Sequence, residues 1–105
     1  MAGPEATIER ECRAHAQGLQ CRLEKIRFSN RRGCPDRLLL VPRGDPPGSA
    51  PPFVAFVEFK GPRGSLSPMQ EVVNRELRQT GVEVWVIDDV NEFKHRLEVV
   101  RADES

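Results

Sequence analysis

No apolar run in this 105-residue sequence approaches the ~20 residues that a bilayer-crossing helix needs, and no membrane association is expected. The opening residues, Met1-Ala2-Gly3-Pro4-Glu5, lack the basic and apolar segments of a signal peptide. Cysteine is sparse as well. Cys12, Cys21 and Cys34 contain no C-x-x-C pair and leave one over, which argues against both a disulfide framework and a zinc knuckle. The expected setting is therefore a reducing, intracellular compartment. An excess of charge is also missing: 16 Lys and Arg face 16 Asp and Glu, so the chain as a whole has no net attraction for a polyanion. The distribution is uneven, however. From Arg22 to Arg43 the cations Arg22, Lys25, Arg27, Arg31, Arg32, Arg37 and Arg43 are opposed only by Glu24 and Asp36, while acids gather towards both ends.

With 38% hydrophobic and 30% charged residues, a chain of this length is expected to form a single domain, its core running from about residue 5 to residue 100 and ending in a frayed tail over 101–105. Ile8, Cys12, Ala16 and Leu19 recur at helical spacing, with Pro4 suited to a first turn and Gly18 to an end, so the pattern predicts a helix over 4–17. Residues 21–28 read as a strand and 29–33 as a loop. Asp36 to Val41, bounded by Pro35 and Pro42, reads as a second strand. The segment 43–52, rich in proline and glycine, is predicted to be irregular and to join this strand to an antiparallel partner. If that connection is symmetric, position 36 pairs with position 59.

The partner strand, Phe53-Val54-Ala55-Phe56-Val57-Glu58-Phe59-Lys60, is apolar on both faces until its end, where Glu58 and Lys60 share one face. Charge confined to the end of a buried strand belongs to a rim. Next, Ser67-Pro68-Met69-Gln70 has the form of a capping box, followed by Met69, Val73 and Leu77 as a predicted core face and Gly81 as a stop. Val82 to Ile87 predicts a strand parallel to the Phe53 strand, and Asp89 opens a last helix reaching about Val100. The order is α-β-β-β-α-β-α, an α/β fold with a mixed central sheet flanked by helices.

Asp36, Glu58 and Lys60 converging at strand ends match the needs of phosphodiester hydrolysis. A hard divalent cation takes carboxylate oxygens, and a lysine beside it can orient a water and offset developing negative charge. Arg31 and Arg32 suit neighbouring phosphates. The ordered set Arg32-Gly33-Cys34-Pro35-Asp36-Arg37, Glu58-Phe59-Lys60-Gly61-Pro62, Leu66-Ser67-Pro68-Met69-Gln70 and Gly81 to Ile87 resembles the VRR-NUC (virus-type replication-repair nuclease) domain of the PD-(D/E)XK superfamily, over nearly the whole chain. That resemblance implies a restriction-endonuclease-like core and a Mg²⁺- or Mn²⁺-dependent endodeoxyribonuclease that leaves a 5′-phosphate and a 3′-hydroxyl, with no small-molecule cofactor. Its small stand-alone members, often phage-encoded, resemble dimeric resolvases of four-way (Holliday) junctions, implying a homodimer, branched DNA as partner and, for a phage or bacterial gene, the host cytoplasm. It further implies a catalytic glutamine, matched by Gln70, and a first-helix glutamate, assigned to Glu9 with Glu5, one turn earlier, in reserve. Arg31, Arg32, Arg37 and Arg63 complete the expected DNA contacts.

Structural roles compete with each assignment. An isolated E-x-K is more often a solvated strand end than a catalytic pair, Asp36 can be a turn acid, Gln70 a cap, and Glu5 and Glu9 ordinary helix N-terminal acids. His15 and His95 have no metal-spaced partner, and Trp85 belongs to the core. Two other functions remain open from the residues: a non-catalytic DNA-binding module of the same fold, and a flap or nicking nuclease.

Overall fold

The computed structural model describes residues 3–103. Its elements follow the expected order: α1 (Pro4–Gly18), β1 (Arg22–Lys25), β2 (Arg37–Arg43), β3 (Ala50–Phe59), α2 (Pro68–Gln79), β4 (Glu83–Ile87) and α3 (Val90–Ala102). The strands form one mixed sheet in the order β1-β2-β3-β4, antiparallel across the first two pairings and parallel between β3 and β4. The helix α2 makes the crossover that a parallel pair requires. Among the described residues, no helix is long and apolar enough to cross a membrane.

The two faces of the sheet are covered differently. On one, α1 and α3 bury Ile8, Cys12, Ala16, Phe93 and Leu97 against Leu23, Leu39, Val41, Ala55, Val57, Phe59, Trp85 and Ile87. Trp85 is in the core as expected, stacked edge-on with Phe93 at 6.1 Å between ring centroids. On the other face α2 packs, contributing the buried Val73 and Asn74, Phe28 of the 26–36 loop lies against Phe56, and Leu38, Leu40, Val54 and Phe56 stay half-buried.

Several expectations are corrected. The first strand is shorter than 21–28, because after Lys25 the chain leaves the ladder, keeping one bond from Ile26 N–H to the Asp36 carbonyl at 2.9 Å. The proline-rich segment 43–52 is partly regular. Both β2 and β3 extend into it, carrying Pro42, Pro51 and Pro52 where neither outer strand is paired alongside, so the missing N–H groups break no outer ladder bond. The hairpin is also asymmetric: Val41 pairs with Phe53 but Arg43 with Ala50, an extra residue on β3 that forms a bulge. The register is consequently one residue away from the symmetric estimate, with Arg37 opposite Val57 and Leu38 opposite Phe56. Met69, predicted to face the core, is 52% exposed, and Leu77 is only half-buried. Val73 is buried as expected, and beside it Gln70, Asn74 and Arg78 take the place of Met69: Gln70 reaches Glu58 and Arg78 donates to the Val84 carbonyl at 2.8 Å. At the C-terminal end α3 continues through Arg101 and Ala102, two residues expected to fray.

Candidate active site

The one-residue difference in register decides where the carboxylates fall. Continued one step beyond the Arg37–Val57 pair, the observed register sets Asp36 across from Glu58, and directly opposed residues of an antiparallel pair share a face. The symmetric register would have turned Asp36 towards the α1 and α3 side with Phe59. Glu58 itself alternates with the buried Val57 and Phe59, which fill the core, so its own side chain is directed to the α2 face. It is buried there, at 8% exposure. Burial, then the charge of Asp36, pushes the Glu58 carboxyl up to about 7; Lys60 acts in the opposite sense and Glu5 adds to the rise. These couplings place Asp36, Lys60 and Glu5 electrostatically around Glu58.

Gln70 has both of its competing roles at once. Its backbone N–H donates to Ser67 Oγ at 3.1 Å and its Oε1 accepts from the Ser67 backbone N–H at 2.9 Å, a complete capping box. With the oxygen engaged, its Nε2 is turned to donate to Glu58 Oε1 at 3.3 Å. The start of α2 therefore orients the group that touches the carboxylate. Lys60 follows the end of β3, its backbone N–H donating to the Ile87 carbonyl at 2.8 Å, which fixes the lysine beside the β4 terminus.

Two of the assigned residues, Arg37 and Glu9, are engaged with each other. Arg37 alternates with Leu39 and Val41 on the core face, is 8% exposed, and pairs with Glu9. The first-helix glutamates thereby separate, Glu9 held by Arg37 and the reserve residue Glu5 felt at Glu58. Arg32 and Arg63 are exposed, and Arg31 is tied to Glu76 of α2 by an ion pair that the sequence reasoning missed. No local signal links positions that far apart in sequence. It also missed the loop closure at Gly33, whose φ of +80° and tight packing on Met69 explain the glycine within Arg31-Arg32-Gly33.

Among the described residues, no cluster of three or more His, Cys, Asp or Glu side chains forms a ready cage for a metal ion. The donor chemistry nonetheless fits a hard divalent cation. Two carboxylates share one face, and their mutual repulsion is part of what raises the Glu58 carboxyl, a cost that a cation between them would reverse. Magnesium typically takes one or two protein carboxylates and completes its shell with waters and substrate phosphate.

A VRR-NUC domain model matches residues 2–91. Among solved structures, one described as a VRR_NUC domain superposes with a TM-score of 0.76 at 23% identity, covering 92% of this chain and 97% of that one, a likeness of fold. No curated protein matches. The site motifs Cys34-Pro35-Asp36, Glu58-Phe59-Lys60 and Ser67-Pro68-Met69-Gln70 all lie inside the matched span, and the chain belongs to the VRR-NUC family, a nuclease domain of the PD-(D/E)XK type with DNA as its implied partner.

Proposed function

We propose that this domain is a Mg²⁺- or Mn²⁺-dependent DNA endonuclease that resolves four-way junctions as a homodimer, leaving 5′-phosphate and 3′-hydroxyl ends. The observation that carries this reading is the meeting of Asp36, Glu58, Lys60 and Gln70 at one end of the sheet, on the face where α2 packs. Asp36 and Glu58 would hold the cation, and Glu5 is better placed than Glu9 to add a third carboxylate. When bound, such an ion supplies Lewis-acid polarisation of the phosphate and a water of lowered pKa.

The protein's own groups do the rest. Lys60 donates a hydrogen bond to the attacking water and brings positive charge to the phosphate as negative charge develops. Gln70 holds one Glu58 oxygen and so fixes the direction of the other. The exposed Arg32 and Arg63 take flanking phosphates, and Arg31 lends charge from its place against Glu76. Junction resolution requires two symmetric incisions, and one chain offers one such site, so a twofold dimer is the economical arrangement. It also doubles the basic segment along one substrate, offsetting the zero net charge.

The test is cleavage of a labelled four-way junction beside linear duplex, flap and single strand of the same sequences, with Mg²⁺, Mn²⁺ or EDTA, for wild type and Lys60→Ala. Paired, metal-dependent incisions in the junction alone, lost in the variant, are expected. Binding of the junction without cleavage of any substrate would replace the nuclease by a DNA-binding module of the same fold.

A further inference from the structure

Beside the carboxylates lies a cavity of about 540 Å³ formed by the 26–36 loop, with Asp36 in its lining. The loop is tied at three points. Its base is closed by the Ile26 N–H to Asp36 carbonyl bond, its crown packs so tightly at Gly33 that a Cβ there would lie 2.7 Å from Met69 Cγ and 3.0 Å from the Met69 backbone, and Arg31 is anchored to Glu76. Such tethering keeps the space formed before any ligand arrives, which lowers the ordering cost of binding.

The lining is chemically mixed. Phe28, half-buried and tilted at 51° against Phe56 with centroids 5.8 Å apart, supplies an aromatic wall. Arg27 and Arg32 are exposed cations of the lining and have no carboxylate partner among the described residues. A lone phosphate group needs donors but no aromatic wall, and it fills far less than this volume, which falls in the ~300–1,000 Å³ range of sites for small organic ligands. Aromatic and guanidinium planes beside a phosphate site are what an unstacked base requires.

We infer that the 26–36 loop is a cradle for one unpaired nucleotide of the strand being cut, next to the scissile phosphate, its base against Phe28 and its phosphates towards Arg27 and Arg32. This rests on the nuclease reading of the adjoining site. It names a feature of the substrate: a strand that already exposes, or easily yields, an unstacked base. Extrusion is easiest where a base is mispaired or lies at a branch, so the cradle would favour branched over continuous duplex DNA.

The test is single-turnover cleavage of junctions in which each nucleotide flanking the incision is in turn paired, mispaired or replaced by an abasic residue. At one position the mispaired strand should be cut faster and the abasic strand about tenfold or more slower than the paired one, in keeping with the size of base stacking on an aromatic side chain. Phe28→Leu, which keeps apolar bulk against Phe56, should erase both differences, and Phe28→Tyr should restore them. Equal rates for abasic and intact strands at every position, with cleavage otherwise normal, would overturn the cradle and leave the nuclease standing. Loss of all cleavage in the wild type would overturn both. Addition of a free deoxynucleoside monophosphate separates the remaining source: inhibition by it with no base dependence in the strand would assign the cavity to a free nucleotide and refute its role in the cleaved strand.

Discussion

The two faces of the sheet are made by alternate residues of the same strands, yet they are finished to different standards. The face under α1 and α3 is mostly apolar and closed, with Leu39, Val57, Ile87, Phe93 and Leu97 essentially inaccessible and Arg37, paired with Glu9, as its buried charge. The face under α2 is open along Leu38, Leu40, Val54 and Phe56, and where it is covered it buries Glu58 and an Asn74 whose amide nitrogen and oxygen both lack partners among the described residues. Stability is concentrated on one face and chemistry on the other. Elements that carry function commonly take up such local costs, which the remainder of the fold offsets.

That division can be broken from either side. Phe93→Ala should give the largest effect, a loss of about 3–5 kcal/mol in denaturant unfolding through the cavity left between Phe59 and Trp85, with cleavage per folded molecule unchanged. Lys60→Ala should do the reverse, lowering the single-turnover rate about 10²–10³-fold while the unfolding midpoint stays where it was. Glu58 links the faces through pH. Its carboxyl is raised in the folded state from the ordinary 4.5 to about 7, so the native protein binds this proton more tightly than the unfolded chain does. Stability contributed by that proton is complete below pH 4.5 and is lost as pH rises through 7, by an amount on the order of 1–3 kcal/mol in metal-free buffer. Thermal melts across that window should show the slope in wild type and not in Glu58→Gln.

Asn74→Leu should stabilise the protein by about 1–2 kcal/mol, since an unpaired buried amide is replaced by an apolar group of similar shape; a destabilised variant would mean that the amide has partners. The smallest change is expected for Ser67→Ala, about 1 kcal/mol from the lost cap. It should also slow cleavage, because the capping box orients the amide that meets Glu58, whereas a purely structural cap would leave the rate alone.

What was legible in the sequence divides along similar lines. Glu58 and Lys60 were readable because strand alternation is local, and Gln70 because a capping box spans four residues. The place of Asp36 at the open end of the hairpin was readable, but not its register, since that depends on a bulge among Pro51 and Pro52 that no symmetric loop contains. Arg37, beside Asp36 in sequence, alternates with Leu39 and Val41 onto the opposite face, and its pairing with Glu9 joins positions too far apart for a local pattern to show. The Met69 error has another origin. Hydrophobic spacing selected Met69, Val73 and Leu77; Val73 is buried, but the polar anchors Gln70 and Arg78, bonding to Glu58 and to the Val84 carbonyl, turn the helix so that Met69 faces outward.

The position of the site at the open end of the β2–β3 hairpin also bears on how the chain reaches its native state. Closing the short connection between Arg43 and Ala50 costs less chain entropy than joining residues 36 and 58 directly, so pairing that starts at the tip and advances rung by rung is the cheaper route. Along that route the two carboxylates meet only at the last rung, after the apolar pairs from Val41–Phe53 to Leu38–Phe56 and then Arg37–Val57 are in place. The like-charge encounter thus falls late, where it speeds unfolding more than it slows folding.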